Sequence, residues 1–528
     1  MSERVTVPQG VPLYFSPLGL YPFQEEGIAQ AYLMESALMV WDTGTGKSHA
    51  AMCLSAMLFE DNLIDVVLLI VEKNKISEWK EDFDKFTQLV SMIHHGSGRQ
   101  KRLEKVGLPQ VFITTYETAK ADLVDFYKAP GKRGTSVQNK ALLDQLLTKN
   151  VFVVYDEVAK LRKRTAATYK AHYHIVKMLR KNNPHQRVLG LTATPLERDY
   201  EDAFNQMRIV RPDLVPNVGD FEKTYVLNRD QFGRPTYYPI QIQNFVNQVQ
   251  LGLIRKRKTD PDIIEQFPKR IEEAQHVQMK DDQQKLYQMV ESLGYGSEEP
   301  VQGLWTVLRQ IAGHPASVLH GSENPEGSMI AKKLVQELGQ DVFRNTSSAK
   351  MEALLNYLKI VVKGQGAKAV VFTFFGQSIL RDIREELIEA GYKVYVNHGE
   401  MSIKQQQESR QSFKSDPKPA IFLTSDAGSR GINLPEATYV IEYESALTFA
   451  NRTQRLDRIH RIDSNAPSVT CLTLFLDDTI EDAIAENMIK RNDQTDILLG
   501  DTDAGRNHVL ASERKKVLQI NQEKSRRP

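Results

Sequence analysis

Ten short apolar runs, each about as long as one buried strand, alternate with longer amphipathic stretches along the chain. Five lie in the first half, at Ala37–Trp41, Val66–Val71, Val111–Thr115, Val151–Tyr155 and Val188–Thr192. Five lie in the second half, at Ala369–Phe374, Lys393–Val396, Ala420–Thr424, Tyr439–Tyr443 and Val469–Phe475. This alternation is typical of parallel sheets whose strands are joined by crossover helices. The sequence therefore predicts an α/β fold with two parallel-sheet lobes.

The region between the two sets of runs, Glu201–Thr346, is more polar and more helical in its pattern, and Gly321–Gly327 interrupts it. A loop-like insert, Ala129–Asn139, interrupts the first lobe. We therefore expect a first lobe at residues 1–215, a helical insertion region at 216–345, a second lobe at 346–500 and a basic tail at 501–528. Within that tail, Ser512–Pro528 holds six basic and two acidic residues.

The composition is that of an ordinary globular protein, with 41% apolar and 26% charged residues. It excludes a largely disordered chain, a collagen-like fibre and a coiled-coil rod. The formal net charge is only +1, so any nucleic-acid partner would need a local basic surface. Cys53 and Cys471 fit no metal-binding or disulfide spacing, which favours a reducing compartment. Met1–Gly10 lacks an apolar signal segment, and no run approaches the roughly 20 apolar residues of a membrane span.

A glycine-rich loop follows the first apolar run and precedes an alanine-rich helical stretch. The loop reads Asp42, Thr43, Gly44, Thr45, Gly46, Lys47 and Ser48. Its glycines allow backbone N–H groups to surround a phosphate, and the following helix N-terminus adds positive potential. We expect Lys47 to reach the β- and γ-phosphates and Ser48 to bind Mg²⁺. Trp41 occupies the position where the longer form of this loop has its first glycine.

The apolar run Val151–Tyr155 ends in two carboxylates, Asp156 and Glu157. We expect Asp156 to hold Mg²⁺ and Glu157 to orient or deprotonate the attacking water of a phosphate-loop ATPase. Most acidic pairs at strand ends are merely solvated, but the glycine-rich loop about 110 residues upstream favours the catalytic interpretation.

The segment Asn451–Ile462 contains four arginines. If it is helical, Gln454, Arg458 and Arg461 share one face. Planar guanidinium groups stabilise the charge that develops on a transferring γ-phosphate, so we expect these three residues to be catalytic. A solvated basic helix is the alternative. Because the second half has no phosphate loop of its own, we expect its lobe to complete the ATP site of the first lobe across a cleft.

A second basic segment, Lys160–Arg187, holds nine Lys or Arg residues and no acidic residue. Such a segment could follow a nucleic-acid backbone, in which case binding would weaken steeply with salt. It could equally be the solvated face of a helix. In that arrangement the buried stripe would comprise Tyr169, His172, Ile175, Val176 and Leu179, and the outer face would carry Lys170, Lys177, Arg180 and Lys181.

These motifs occur in an order that resembles superfamily 2 helicases, and within them the Swi/Snf family of double-stranded DNA translocases. The resemblance covers about Leu20 to Gly500. The matching strings are Leu20–Gly27 (Q-motif), Gly44–Ser48 (motif I), Ile76–Phe83 with Trp79 (Ia), Thr114–Tyr116 (Ib), Asp156–Ala159 (II), Leu191–Pro195 (III), Ser425–Leu434 (V) and Gln454–Arg461 (VI). Strings specific to Swi/Snf are Leu253–Asp260, Leu308–Pro315, Arg458–Ile462 and Asp478–Leu499. Phe221–Pro268 resembles the fork-remodelling and annealing branch.

The resemblance implies two RecA-like lobes with a helical insertion between them, ATP and Mg²⁺ as cofactors, and Gln24 as the residue that reads adenine. It also implies contact with the backbone of double-stranded DNA, for which the candidates are Thr115, Ser425, Lys160 and Arg255. The chain departs from the family at Ala159, where motif II usually has histidine, and at Arg430 in motif V. Ala446–Phe449 replaces the family's Trp-Asn-Pro stretch.

The leading interpretation is a monomeric ATP-driven translocase that moves along duplex DNA and displaces proteins or remodels DNA structures. Its protein target could be a polymerase or a recombination factor. A strand-separating or branch-migrating helicase is the first alternative, favoured by Arg430. A non-enzymatic regulator that binds DNA or a polymerase is the second. We expect a cytoplasmic protein of a bacterium or a phage-infected cell, or a nuclear one in a eukaryote.

Overall fold

The computed structural model describes residues 19–129, 132–136, 139–197, 199–230, 233–292, 301–321, 325–426, 428, 433–461, 464 and 466–499. The basic tail at 501–528, the segment Met1–Gly10 and Arg430 lie outside the described residues. The chain divides into two compact units between Glu265 and Gln266, and residues from Asp493 onward in the last helix belong to the first unit. The four-part division expected from the sequence stays a prediction.

The first unit is built on a seven-stranded parallel sheet in the order β11-β1-β8-β7-β2-β4-β3. Its strands, with those of two small hairpins, are β1 Ala37–Trp41, β2 Val66–Val71, β3 Ser91–His94, β4 Val111–Thr115, β5 Asp125–Ala129, β6 Lys132–Ser136, β7 Val151–Asp156, β8 Val188–Thr192, β9 Val226–Arg229, β10 Pro235–Tyr237 and β11 Leu253–Lys256. Its helices are α1 Pro22–Met34, α2 Lys47–Glu60, α3 Ile76–Phe86, α4 Arg99–Val106, α5 Tyr116–Leu123, α6 Lys140–Leu147, α7 Ala167–Asn182, α8 Tyr200–Val210, α9 Val218–Tyr225 and α10 Pro239–Gln250.

The second unit is built on a six-stranded parallel sheet in the order β12-β17-β16-β13-β15-β14. Its strands are β12 Lys269–Val277, β13 Ala369–Thr373, β14 Val394–Asn397, β15 Ile421–Ser425, β16 Tyr439–Glu442 and β17 Ser468–Leu476. Its helices are α11 Asp281–Ser292, α12 Val301–Gly313, α13 Pro325–Leu338, α14 Gln340–Asn345, α15 Ala349–Leu358, α16 Ile379–Glu389, α17 Ile403–Ser415, α18 Phe449–Leu456 and α19 Ile480–Leu499, whose last residues cluster with the first unit.

Both sheets are buried on their two faces, which explains why their central strands are continuous apolar runs rather than alternating ones. Every residue of β2, Val66–Val71, is buried. In β13, Val371 joins the core that contains Leu354 of α15, whereas its neighbour Phe372 joins a separate core on the other face with Phe413 of α17. The predicted fold class, two RecA-like parallel-sheet lobes, is confirmed.

All ten predicted strand positions are strands, but the middle section also contributes to both sheets. β11 pairs with β1 in the first sheet, and β12 pairs with β17 in the second. Both are partly exposed edge strands whose sequences mix polar and apolar residues. Their sequences therefore lack the apolar signal that identifies a strand buried on both faces.

The insert expected to be a loop, Ala129–Asn139, overlaps an antiparallel hairpin of β5 and β6. The two strands flank Pro130-Gly131, a dipeptide typical of turns, but neither strand has apolar alternation. Among the described residues, no helix combines the length and apolarity needed to cross a bilayer. Cys53 and Cys471 are both buried and unbridged.

Candidate functional site

The glycine-rich loop lies at the carboxyl end of β1, and α2 begins at its lysine. Gly44 and Gly46 have φ angles of 80° and 87°, a left-handed conformation that strongly favours glycine. The Lys47 ammonium donates to the carbonyl oxygens of Trp41, at 2.7 Å, and Asp42, at 3.1 Å. The loop therefore combines a helix N-terminus, two conformationally free glycines and a lysine, which is the donor set of a phosphate site.

Gln24 of α1 is buried against this loop. Its Nε2 donates to the carbonyl oxygen of Thr45 at 2.9 Å, and its Oε1 accepts from the backbone N–H of Tyr21 at 3.0 Å. A Cβ added to Gly46 would lie 2.2 Å from the same Nε2, so any larger residue there would displace the Gln24 amide. The structure thus joins Gln24 to the loop, while its contact with adenine stays a prediction.

Arg255 of β11 holds the first residue of the loop. Its guanidinium donates to the Asp42 carboxylate at 2.7 Å and to the carbonyl oxygen of Val40 at 3.1 Å. The backbone N–H of Lys258 donates to the second Asp42 oxygen at 3.0 Å. Burial raises the pKa of Asp42, but Arg255 and Lys258 outweigh it and hold the pKa below its ordinary value.

The position of Arg255 changes its interpretation. The family resemblance makes Arg255 a candidate for DNA contact, through its place in the Swi/Snf string Leu253–Asp260. Its side chain is only 19% exposed and it is paired with Asp42, so it belongs to the phosphate loop rather than to an outer basic surface. The sequence gives no sign of this pairing, because 213 residues separate the two partners.

The two carboxylates expected to be catalytic lie at the end of β7. Burial is the main cause that raises the pKa of Asp156 above its ordinary value. Burial and the adjacent Asp156 carboxylate raise the pKa of Glu157 to about 7, although the positive charge of Lys47 lowers it. Glu157 also has a φ angle of 55°, a left-handed conformation that costs a non-glycine residue about 1 kcal/mol. Such local strain is common at functional sites.

Asp156 is held through its side chain and its main chain by residues of two different helices. Trp79 of α3 donates its indole N–H to Asp156 Oδ2 at 2.8 Å. The hydroxyl of Tyr116, the first residue of α5, donates to the Asp156 carbonyl oxygen at 2.7 Å. The sequence marked Trp79 as part of motif Ia but did not reveal that it contacts motif II.

The residues around the loop fit a magnesium ion. Ser48 and Asp156 offer hydroxyl and carboxylate oxygens, the ligands that Mg²⁺ prefers. Burial raises the pKa values of Asp156 and Glu157 because it disfavours their charged forms, and a bound divalent cation would favour those charged forms. No cage of three or more His, Cys, Asp or Glu side chains occurs among the described residues.

The arginine segment of the second unit differs from its expected form. We expected a helix that places Gln454, Arg458 and Arg461 on one face, but α18 ends at Leu456, with Asp457 as its C-cap. The carbonyl oxygen of Arg458 accepts instead from the backbone N–H of Leu434 at 3.0 Å. Because Ile459 is fully buried, the chain turns into the core rather than continuing the helix. The prediction that Gln454, Arg458 and Arg461 share one face of a helix is therefore wrong.

The four arginines of this segment fall into two classes. Arg452 and Arg455 are buried and form ion pairs with Glu442, Glu272 and Asp426, at distances of 2.6 to 3.2 Å. They stabilise the second unit, because a buried carboxylate without a partner would cost several kcal/mol. Arg458 and Arg461 are partly exposed, as is Gln454. Exposure thus separates two structural arginines from the three residues predicted to be catalytic, a distinction that the sequence does not show.

Two candidates for DNA contact are buried. Thr115 is the N-cap of α5 and accepts from the backbone N–H of Thr118 at 3.2 Å. Ser425, 2% exposed, accepts from the backbone N–H of Gly428 at 3.3 Å. Their hydroxyls are thus used in local capping. Lys160 is 40% exposed and pairs with Glu72 at 2.7 Å.

The basic segment Lys160–Arg187 contains α7, and the five residues predicted for its buried stripe are all buried. Arg180 was expected on the outer face but donates to the carbonyl oxygens of Ile209 and Val210, both at 2.7 Å. Several other basic residues of the segment pair with acids from elsewhere in the chain. The exposed lysines without a carboxylate partner among the described residues are Lys163, Lys170, Lys177 and Lys181. We call these four the lysine stripe.

Sequence comparison identifies two domains. Residues 24–339 match the SNF2-related domain, and residues 349–463 match the helicase conserved C-terminal domain. The chain is 23% identical over 460 residues to Protein CHROMATIN REMODELING 4 of Arabidopsis thaliana, across 81% of this chain and 18% of that protein. It is 23% identical over 482 residues to the uncharacterized ATP-dependent helicase MG018 of Mycoplasma genitalium, across 88% of this chain and 41% of that protein. The chain thus spans less than half the length of these relatives.

Structure comparison finds the Sulfolobus solfataricus SWI2/SNF2 ATPase core in complex with dsDNA, at 21% identity and a TM-score of 0.40, covering 93% of this chain and 95% of that one. The SNF2-related domain alone matches more than half of the 528 residues. The chain therefore belongs to the SNF2-related family.

Proposed function

We propose that this protein hydrolyses ATP and uses the energy to move along double-stranded DNA. One observation carries the proposal. The phosphate loop with Lys47, the carboxylates Asp156 and Glu157, and Gln24 converge at the carboxyl edge of one parallel sheet. This is the edge at which open α/β sheets bind their ligands.

Each residue of the site has a specific task in this proposal. The loop N–H groups and Lys47 bind the phosphates, for which Lys47 gives up its bonds to the carbonyl oxygens of Trp41 and Asp42. Ser48 and Asp156 hold Mg²⁺, which neutralises charge on the β- and γ-phosphates. Glu157 accepts the proton of the attacking water or orients that water.

Two arginines supply the remaining charge in the proposed reaction. Arg458 and Arg461 stabilise the negative charge that develops on the γ-phosphate, and Gln454 assists them. An arginine of this kind can accelerate phosphoryl transfer by about 10³-fold or more. Arg452 and Arg455 do not take this role, because their guanidinium groups are buried in ion pairs with carboxylates.

Double-stranded DNA is the proposed track. The name of the Sulfolobus relative describes a SWI2/SNF2 core in complex with dsDNA, and the motif order of this chain resembles the same family. Lys163, Lys170, Lys177 and Lys181 are the exposed cations we assign to the DNA backbone. Ammonium groups bind phosphate without reading bases, which suits movement along any sequence.

Steady-state ATPase assays test the proposal. We expect duplex DNA to stimulate hydrolysis more than single-stranded DNA, and Glu157→Gln to lower kcat at least 100-fold while nucleotide binding is retained. Glu81→Gln, at an exposed position on α3, is the matched control and should leave kcat unchanged. A hydrolysis rate that is indifferent to duplex DNA would contradict the proposed track. Release of a labelled strand from forked DNA would instead favour the strand-separating helicase.

A further inference from the structure

Trp79 connects two motifs that lie 77 residues apart in the chain. Its side chain is 3% exposed, and its indole N–H points at Asp156 Oδ2 across 2.8 Å. Indole nitrogen is only a donor, so this bond has one possible direction. Hydrogen bonds to an ionised carboxylate are roughly twice as strong as those between neutral groups. The contact therefore restrains the orientation of the Asp156 carboxylate.

The position of the indole is itself fixed by packing. Four residues of α3 are buried at helical spacing, namely Ile76, Trp79, Phe83 and Phe86. The ring of Trp79 stacks on that of Phe83, with centroids 6.0 Å apart and planes inclined by 29°. The donor cannot shift relative to the sheet unless the packed face of α3 shifts with it, because close-packed side chains leave little free volume.

The two oxygens of Asp156 are in different environments. Oδ2 accepts from Trp79, whereas Oδ1 has no hydrogen-bond partner among the residues that the structure describes. The main chain of Asp156 is held separately, by the Tyr116 hydroxyl on its carbonyl oxygen. The side chain thus has one restrained oxygen and one that remains available for a ligand.

We propose that Trp79 is a positioning residue that orients Asp156 so that Oδ1 faces the Mg²⁺ of a bound nucleotide. This inference rests on the proposed function, since it requires Asp156 to hold Mg²⁺. Groups that hydrogen-bond to a metal-ligating carboxylate fix its geometry, and their loss typically lowers metal affinity by about 10- to 100-fold. A tryptophan of motif Ia thereby sets the geometry of motif II.

The first test measures how nucleotide binding depends on Mg²⁺. A fluorescent, non-hydrolysable ATP analogue is titrated with Mg²⁺ against wild type and Trp79→Phe, and binding is followed by anisotropy. Phenylalanine keeps the aromatic packing but has no N–H. We expect the Mg²⁺ concentration for half-maximal binding to rise about tenfold, with unchanged affinity for the analogue in EDTA. Phe83→Leu, which perturbs the same packing but leaves the donor, is the matched control and should raise that Mg²⁺ concentration much less.

The second test observes the hydrogen bond directly. The protein has three tryptophans, so selective ¹⁵N labelling gives three indole N–H signals, and that of Trp79 is the one lost in Trp79→Phe. If that variant does not fold, the signal is assigned by elimination from Trp41→Phe and Trp305→Phe. We expect the Trp79 signal to move when Asp156 is changed to Asn and again when the Mg²⁺ complex of the analogue binds.

The outcomes separate this inference from the function on which it rests. If wild type binds the analogue without any dependence on Mg²⁺, the proposed magnesium site fails. The positioning role is overturned if wild type and Trp79→Phe show the same dependence of binding on Mg²⁺. It is also overturned if Asp156→Asn leaves the Trp79 signal in place. In both cases the ATPase proposal stands. Equal shifts in Trp79→Phe and Phe83→Leu would reduce the effect to packing and also overturn it.

Discussion

Asp122 is a buried carboxylate of α5 that accepts hydrogen bonds from His94 and Arg99. Arg99 donates to both of its oxygens, at 2.7 and 2.8 Å, and His94 Nε2 lies 2.7 Å from Oδ2. Burial raises the pKa of Asp122, but these partners outweigh it and lower the pKa to about 2. His94 is the last residue of β3 and Arg99 is the first residue of α4, so the pairing ties α5 to the carboxyl end of β3.

The charged form of Asp122 should stabilise the first unit in a pH-dependent way. Its folded pKa is depressed from an ordinary value of about 4, so the stabilisation is present above about pH 4 and disappears as the pH falls toward 2. The difference in unfolding free energy between wild type and Asp122→Asn should therefore narrow by about 2 kcal/mol between about pH 5 and about pH 2. Urea unfolding measures it. Asp144→Asn, at an exposed position on α6, should show no such narrowing.

At this scale the sequence indicates candidate residue types but not their partners. Lys47, Asp156 and Glu157 are identifiable because the chemistry demands a lysine after a glycine loop and acids after a buried strand. The roles of Arg255 and Trp79 depend on contacts with Asp42 and Asp156 that only the folded chain creates. The sequence does not show burial either. For that reason Thr115 and Ser425, which are buried, were candidates for contact with the DNA backbone.

At the scale of elements, α1 lies against β1 through a glycine. A Cβ built on Gly27 would lie 2.1 Å from Cζ2 of Trp41, a ring that is completely buried. Such a contact requires either the helix or the ring to move. Since α1 also carries Gln24, the close approach fixes the distance between the Q-motif helix and the phosphate loop.

Gly27→Ala should therefore destabilise the protein by about 1–3 kcal/mol, the usual effect of overpacking a core. It should also weaken nucleotide binding, because Gln24 moves with α1. Gly219→Ala is the matched control, since Gly219 is also helical and its added Cβ would come no nearer than 3.4 Å to Asn217. That control should be neutral or slightly stabilising. Thermal unfolding that is equal for the two variants would contradict the packing argument.

The pairing of β11 with β1 allows a second test at this scale. Arg255→Met should weaken nucleotide binding several-fold, because it leaves the half-buried Asp42 carboxylate without its guanidinium partner and loosens the loop. Arg257→Met is the control, because Arg257 pairs with Asp260 only three residues away, at 2.7 Å. Nucleotide titration of both variants measures the effect. Equal losses would show that Arg255 has no special role at the loop.

The inner strands of both parallel sheets were predicted from the sequence, whereas of their edge strands only β14 was. The strands β2 and β13 are continuous apolar runs, whereas β3, β11 and β12 are only partly buried, mix polar with apolar residues and escaped prediction. The end of α18 was also not predicted. The arginine-rich segment has a helical pattern, and only the structure shows that Ile459 is buried in the core. Tertiary burial overrides local propensity at such positions.

At the scale of the whole molecule, the net charge of +1 conceals an uneven distribution. The segment Lys160–Arg187 has nine basic residues, but folding brings acids to several of them, including Glu72, Glu197 and Glu35. The exposed charge that remains is concentrated in the lysine stripe. The effective basic surface is thus smaller than the sequence suggests, and three of its four lysines lie on the outer face of α7.

The lysine stripe should determine the salt dependence of DNA binding. Each phosphate contact adds about one to the slope of log affinity against log salt, so the combined change Lys163→Ala, Lys170→Ala, Lys177→Ala and Lys181→Ala should lower that slope by as much as about four. Duplex binding measured by anisotropy between about 50 and about 200 mM salt gives the slope.

The matched control replaces four exposed lysines of the second unit, Lys332, Lys333, Lys359 and Lys404, by alanine. It removes the same total charge and therefore corrects for the long-range field of the protein. If both quadruple variants lose equal slope, net charge rather than the lysine stripe governs binding, and if neither loses any, the DNA backbone lies elsewhere.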